Sequence, residues 1–355
     1  MKTLYVYADF DWLKHPSLIG KLSYESLRGS DSYCFEYDRD WLKDHCDIAL
    51  SEDLKCYPGP QYTIPGHDIF CCFADALPDR WGRMLLNRKE QIQALAEGRA
   101  TRRLTSFDYL TGIDDTTRMG GFRFKTSPNS DYINCDSTMQ VPPLSDIRTL
   151  IAASGEIERS DKQNELPSEK WLRQLVNPGS SLGGARPKAC VTDEKHILYV
   201  AKFPSRNDTY DVALWEHVSH ILAKEAGIDA ADTRVANYGN KHHTLLSRRF
   251  DRDVNGRRKH FASAMTLLGL TDGCNAQSGN GYLDIVDFIV AQCCDTQKNL
   301  NELFRRVAFN IAIGNSDDHF RNHGFLLTKQ GWTLSPAYDM NPTNDNHLSL
   351  LINSC

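Results

Sequence analysis

The sequence predicts an α+β protein of two lobes, with a β-rich unit at its N-terminus and a mainly helical lobe at its C-terminus. Three observations carry this expectation. The opening segment alternates apolar and polar side chains at the strand period. Between Gly179 and Arg252, strands and one helix interleave after a glycine-rich loop. Beyond Arg252, apolar residues recur at the helical period. With 355 residues, 41% hydrophobic and 25% charged, the chain has material for a sizeable core and roughly two or three structural units.

In chain order, Leu4 to Ala8 and Leu18 to Leu22 read as strands, and YCFEYDRDWL (33–42) reads as a strand running into a short helix. From Ile69 to Glu97 a proline-containing turn leads into a helix, with Gly98 as its stop. Residues 100–170 mix turn signals with short apolar pieces, and one helix is expected after Pro143. After the glycine loop come a strand ILYVAKF, a helix from about Tyr210 to Glu225 ending at Gly227, and a strand TLLSRRF. LDIVDFIVAQCC and ELFRRVAFNIAIGN are the strongest helices of the last part, followed by a polar DDHFRNH loop and a hairpin, GFLLTKQGWTLSPAYD. The expected division is 1–110 for the N-terminal subdomain, 111–250 for a lobe with the glycine-rich loop, and 251–355 for the helical lobe.

Composition excludes several classes. A net charge of -5 lacks the basic excess of a protein that grips nucleic acid over a broad surface, so any DNA contact is expected to be local or through a partner. The eleven cysteines include the adjacent pairs Cys71/Cys72 and Cys293/Cys294 and never form CxxC, which predicts reduced thiols rather than a disulfide framework. The N-terminus lacks the features of a signal peptide, and no run approaches the ~20 apolar residues that span a bilayer. A soluble cytoplasmic protein without membrane contact is therefore expected.

The densest cluster of chemistry is GNSDDHFRNHGF, directly after an apolar helix, with Asp339 delivered by the hairpin that follows. Phosphoryl transfer needs three groups of this kind: an acid to take the acceptor hydroxyl's proton, an amide oxygen five residues later for Mg²⁺, and a second carboxylate between metal and phosphates. Asp317, Asn322 and Asp339 fit those roles at the D-x-x-x-x-N interval of protein kinases. Taken alone, Asp317, Asp318 and Asn322 also suit a simple turn after a helix, and Asp, His and Asn at these intervals also suit the cation of a metal hydrolase. Upstream residues favour the first reading. GSSLGGARPKA (179–189) has the glycines that let a backbone approach an anion, though it lacks the GK[ST] of a Walker A loop. Lys202 ends an apolar strand just beyond it and can reach phosphates. Glu216, on the next helix, can pair with Lys202 or be solvated; Leu214, Val218, Ile221 and Leu222 are expected to face the core. SRRFDR (247–252) lies where a hinge can meet adenine or form an exposed connector.

Taken together, these segments resemble the HipA family of toxin kinases, the kinase half of HipBA type II toxin-antitoxin modules. YDRDWL, LPDRWGRMLL, RMGGFRF, SSLGGARPKA, YVAKFPS, LSRRFDR, RKHFASAMTLLG, GNSDDHFRNHGF and LSPAYDMNP carry the likeness, the last two most specifically. The resemblance implies a two-lobed protein-kinase-like fold and an ATP- and Mg²⁺-dependent serine/threonine kinase. In it Asp317 is catalytic and Asn322 and Asp339 are Mg²⁺ ligands. ATP would be held by Ser181, Leu182, Gly183, Gly184, Ala185, Lys188, Lys202, Arg249, Phe250 and His319, with Glu216 pairing the lysine. It further implies autophosphorylation at Ser181, with Ser180 the alternative, that ejects the loop and stops the enzyme; Arg186 and Lys188 are candidates to hold that phosphate. The partners implied are a HipB-like helix-turn-helix antitoxin, operator DNA mainly through it, and an aminoacyl-tRNA synthetase as substrate, with bacterial persistence as the outcome. Two departures stand out. Arg248 occupies a position where an acidic residue commonly precedes RFDR. The tail after LSPAYDMNP is also short beside the several helices of many relatives. The second departure allows a truncated catalytic lobe, and with it a catalytically weak or inactive regulatory module that binds ATP or an antitoxin.

Overall fold

Strand β1 (Lys2–Ala8) turns Leu4, Val6 and Ala8 inward, as its alternation demands. This computed structural model describes the chain except residues 28–29, 65–66, 136–140, 164, 177–183, 272, 275–277, 344–349 and 352–355. Around β1 an antiparallel sheet forms from β2 (Ser17–Leu27), β3 (Ser30–Tyr37), β4 (Pro60–Tyr62) and β5 (Phe122–Lys125), in the order β4-β3-β2-β1-β5. Strand β5 lies beyond the expected 110/111 division yet pairs with β1 from Tyr5↔Lys125 to Ala8↔Phe122, so the first sheet's hydrogen bonding runs on to Lys125.

Helix α1 (Arg39–His45) starts where the Asp38 carboxylate accepts the Asp40 N–H. A 3-10 turn, Cys71–Ala76, precedes α2 (Arg80–Ala96), whose cap Asp79 accepts the Gly82 N–H at 2.7 Å. Helices α3 (Ser106–Gly112), α4 (Ile147–Lys162) and α5 (Glu169–Val176) fill the stretch whose pattern was mixed; only α4 is legible there, after Pro143.

A second antiparallel sheet has the order β6-β7-β9-β8: β6 (Lys188–Thr192), β7 (Leu198–Lys202), β8 (Thr233–Ala236) and β9 (Thr244–Arg248). Helix α6 (Val212–Glu225) links β7 to β8. The C-terminal lobe contains α7 (Ala264–Leu267), α8 (Tyr282–Gln292) and α9 (Thr296–Ile313), together with a small sheet of β10 (His260–Ser263), β11 (Gly324–Thr328) and β12 (Gly331–Leu334). The main hydrophobic core runs from Leu4 and Phe35 through Leu85, Leu150 and Phe203 to Ile285, Phe325 and Trp332, and a smaller cluster joins Ala223 of α6 to Ile228, Ala230, Ala337 and Met340. No helix among the described residues is long and apolar enough to cross a membrane.

The expected orientation of α6 is reversed. Leu214, Trp215, Ile221 and Leu222 are exposed, at 37 to 52%, whereas Ala213, Glu216, Ser219, His220 and Ala223 are buried. Burying polar groups is tolerable only when they find partners. Most do here: Glu216 meets Lys202, Ser219 bonds the Trp215 carbonyl at 3.1 Å, and His220 Nδ1 meets the Ala231 carbonyl at 3.1 Å, while His220 Nε2 has no partner among the described residues.

Candidate active site

Lys202 ends β7 with its ammonium between two carboxylates, 2.6 Å from Glu216 Oε1 and 2.6 Å from Asp339 Oδ1. Burial opposes the charge on Lys202, but the carboxylates overturn it and raise its pKa above the ordinary lysine value. Burial likewise works against the Asp339 anion, and Lys202 more than compensates, so this carboxyl is held well below its usual range. Glu216 goes the other way: burial raises its pKa, and the nearby Asp339 charge adds to the rise against the pull of Lys202. Lys202 and Asp339 are thus the firmly charged pair.

Asp339 follows β12 in a segment pinned to 229–231: the Ala337 N–H donates to the Asp229 carbonyl at 2.7 Å, and Ala231 returns a bond to the Ala337 carbonyl at 2.9 Å. Its φ of 57° is left-handed. Such a conformation costs on the order of 1–3 kcal/mol in a non-glycine residue and persists where surrounding bonds fix it. Lys202, and the Asn341 side-chain amide at 2.9 Å, provide those bonds.

The polar loop begins where Gly314, φ 69°, closes α9. Buried Asn315 donates its N–H to the Asn310 carbonyl at 2.9 Å and accepts the Asp317 N–H at 3.2 Å. Asp318 is buried and accepts from the Tyr282 hydroxyl at 2.6 Å and His323 Nε2 at 3.0 Å, which anchors the loop to α8 and β11. Asp317 is left exposed, and the Asn322 side-chain amide donates to its carbonyl at 2.9 Å. Partial desolvation pushes the Asp317 pKa up; His319 pulls it back, and the Asp339 and Asp318 charges add to the rise.

The second sheet and the C-terminal lobe face each other across a cleft. Val200, Lys202, Glu216 and Ser247 line one side; Phe261, Arg321, Asn322, Tyr338 and Asp339 line the other. Its apolar floor is an aromatic group in which Phe250 lies 5.8 Å from Phe261 and 5.6 Å from Tyr338. The residues fit a hard cation. Ionised Asp339 and the Asn322 amide share the cleft, and Asn341 Oδ1 is buried without a hydrogen-bond partner among the described residues. His319 Nδ1 is likewise unpartnered.

Arg249, expected at the nucleotide, lines the cleft, but its guanidinium is committed to the protein. Its guanidinium is buried on Asp251 at 2.8 and 2.5 Å and on the Thr117 and Arg118 carbonyls at 2.5 and 3.2 Å. Its N–H donates to the Leu198 carbonyl. The guanidinium bonds tie the segment after β9 to residues 117–118.

Of the glycine loop, Ser180, Ser181, Leu182 and Gly183 lie outside the described residues. Gly184 and Ala185 are exposed, and Gly184 has a φ of 89°, with Lys188 Nζ 3.1 Å from where its Cβ would stand. Lys188 itself is buried and bonds Asp79 at 2.9 Å, while the Trp81 indole donates to its carbonyl at 3.0 Å. Arg186 forks onto Asp208 at 2.9 and 2.6 Å. Both cations expected to hold a loop phosphate therefore already have carboxylate partners. Sequence reasoning missed Asp79, whose partner Lys188 lies 109 residues away, and Asn341, two residues from Asp339; Asp318 stood in the polar cluster without a role of its own.

The family model for the HipA N-terminal domain matches residues 12–109, and that for the HipA-like C-terminal domain matches residues 180–354. The chain belongs to the HipA family. A serine/threonine-protein kinase toxin HipA of Shewanella oneidensis is 24% identical over 350 residues, 91% of this chain and 72% of that protein. A Haemophilus influenzae protein with a provisional kinase name is 26% identical over 197 residues, 49% of this chain. The match spans 57% of that relative's length. The fold matches the solved Shewanella oneidensis HipA, in its complex with HipB and operator DNA, with a TM-score of 0.64 at 18% identity over 98% of this chain and 79% of that one. In this HipA-family chain the two matched parts are tied directly: Asp79 of the N-terminal part bonds Lys188 of the C-terminal part.

Proposed function

We propose that this chain is a cytoplasmic serine/threonine protein kinase that transfers the γ-phosphate of ATP to a protein hydroxyl, and the toxin of a type II toxin-antitoxin pair. The observation that carries the reading is Lys202 bound at once to Glu216 and Asp339, in a cleft that Asn322 also lines and beside which Asp317 is exposed. Glu216 holds Lys202 in position, and Lys202 meets the α- and β-phosphates. Asp317 accepts the proton of the acceptor hydroxyl, with His319 beside it. Phe250 offers its ring to the adenine. Asn322 and Asp339 are the residues that would hold Mg²⁺, and Asn341 has an oxygen to add. When bound, the ion neutralises charge on the phosphate oxygens.

By likeness to the family, the acceptor is an aminoacyl-tRNA synthetase, a HipB-like protein is the antitoxin and carries operator DNA, and Ser181 or Ser180 is the autophosphorylated residue. The Shewanella relative's structure with HipB and operator DNA supports the partner assignment. Dianionic phosphate on the loop would repel ATP, and capturing it would require Arg186 or Lys188 to exchange a carboxylate for it.

Labelled ATP with Mg²⁺ should label the wild-type chain or an added synthetase. Asp317→Ala and Asp339→Ala should each lower the rate by about 10²-fold or more. Equal labelling of all three proteins would sink the kinase assignment. ATP binding with no transfer to any acceptor would favour the regulatory module.

A further inference from the structure

Away from the cleft, three side chains of different chemistry converge under the first sheet. Asp53 Oδ2 accepts the Cys71 N–H at 2.9 Å, and its other oxygen accepts the Ser51 hydroxyl at 2.6 Å. His67 Nδ1 lies 3.1 Å from Cys71 Sγ. One ligand atom from each of Asp53, His67 and Cys71 lies within 4.8 Å of the others. Cys71 opens the 3-10 turn and is buried, whereas Asp53 and His67 are half-buried, so an ion could enter from solvent.

We propose that Asp53, His67 and Cys71 form a site for a divalent transition metal of the zinc class, with water in the fourth position. Thiolate and imidazole disfavour Mg²⁺ and Ca²⁺, and one sulfur, one nitrogen and one oxygen donor suit a tetrahedral borderline ion. With metal–sulfur and metal–nitrogen bonds of about 2.3 and 2.0 Å, the His67 and Cys71 atoms need to part by only on the order of half an ångström. The ion replaces the Cys71 thiol proton, which leaves to solvent, and nothing is oxidised or reduced. Asp53 Oδ2 keeps a lone pair for the metal while still accepting the Cys71 N–H.

The position gives the site a structural consequence. The turn that Cys71 begins also carries Asp75, whose carboxylate accepts the Ser263 N–H at 2.6 Å and its hydroxyl at 3.0 Å and borders the cleft. A metal on Cys71 would fix the near end of that turn. This inference is independent of the kinase assignment.

The test uses the full chain, stripped with chelator and titrated with Zn²⁺ against a chromophoric competitor, then with Co²⁺ alone. One equivalent should bind, with visible Co²⁺ bands, a thiolate charge-transfer band and release of a proton. Affinity should fall at least about 10-fold in His67→Ala and in Cys71→Ser, and persist in Cys46→Ser, which removes an exposed thiol. Should Cys71→Ser fail to fold, His67→Ala decides, because its side chain is half-buried. Binding that survives both His67→Ala and Cys71→Ser is adventitious and overturns the site, as does a native wild-type chain that gives no thiolate band with Co²⁺.

Discussion

Lys202 lies between two carboxylates, while 49 residues later one carboxylate, Asp251, lies among arginines. Asp251 accepts from Arg249, from Arg252 at 2.7 Å and from the Gly120 N–H at 2.9 Å. The arginine donors also reach the carbonyls of Thr116, Thr117, Arg118, Gly120 and Asp251 and the sulfurs of Met119 and Cys190. Asp251 and Asp339 are both held far below the ordinary carboxylate pKa against burial, by cationic neighbours. A perturbed pKa therefore does not separate the two clusters. What separates them is the sign of the surplus charge and its access. In the arginine cluster two guanidinium groups outnumber one carboxylate, and their spare donors go to backbone oxygen and sulfur; in the lysine cluster two carboxyl groups, Glu216 and Asp339, outnumber one ammonium beside a cleft. One is sealed inside the fold, and the other is the cluster to which the proposed kinase reading assigns cation and phosphates.

Breaking each cluster should expose that difference. Asp251→Ala strands buried Arg249 and Arg252 and should cost about 3–5 kcal/mol in urea unfolding, or prevent accumulation of folded protein. Asp339→Asn should cost about 1–2 kcal/mol, since its side chain is 25% exposed, while abolishing transfer. Comparable stability losses would erase the distinction.

Acid separates the clusters from the histidines. A depressed carboxyl pKa stabilises the fold fully above the ordinary value near 4, and that contribution is lost as pH falls below it. Burial alone lowers His260 to about 3, and burial, with Lys202 nearby, lowers His220 to about 4. Both are neutral when folded, so the unfolded chain takes up their protons first and stability falls as pH drops below about 6.5. His260→Phe should flatten the unfolding free energy between pH 6.5 and 4 by about 1 kcal/mol per unit, whereas Asp339→Asn should alter only the limb below 4. A slope unchanged by His260→Phe would assign the acid limb elsewhere.

Smaller effects sharpen the picture of the loop. Tyr282→Phe removes the hydroxyl bonded to Asp318 and should cost about 1–2 kcal/mol. Gly184→Ala, at a positive φ close to Lys188, should cost about 1 kcal/mol. A stability gain there would show that the loop adopts another backbone.

Local patterns made much of the fold legible. Leu4, Val6 and Ala8 announce β1, Gly98 and Gly314 end helices as expected, and the Asp317 loop and its hairpin follow α9 in the anticipated order. Lys202 and Glu216 meet because strand and helix are adjacent in sequence. The failures are tertiary. The inward face of α6 is set by Lys202, itself held by Asp339 137 residues away. Arg249 is claimed by carbonyls more than a hundred residues upstream. The short strands β6, β8 and β10 take their definition from register with partners rather than from periodicity. Asp53, His67 and Cys71 escaped because their intervals match no paired-cysteine spacing.

The tie between Asp79 and Lys188 bears on whether the chain can be cut into working pieces. Expressed without its first part, the segment from residue 180 onward would lose the Asp79 carboxylate from the buried Lys188 ammonium, and the carbonyls of Thr117 and Arg118 from Arg249. Trp332 would lose its bond to the Ala49 carbonyl. Two stretches that match separate family models are therefore joined in folding: the second rests on side chains and carbonyls that the first supplies.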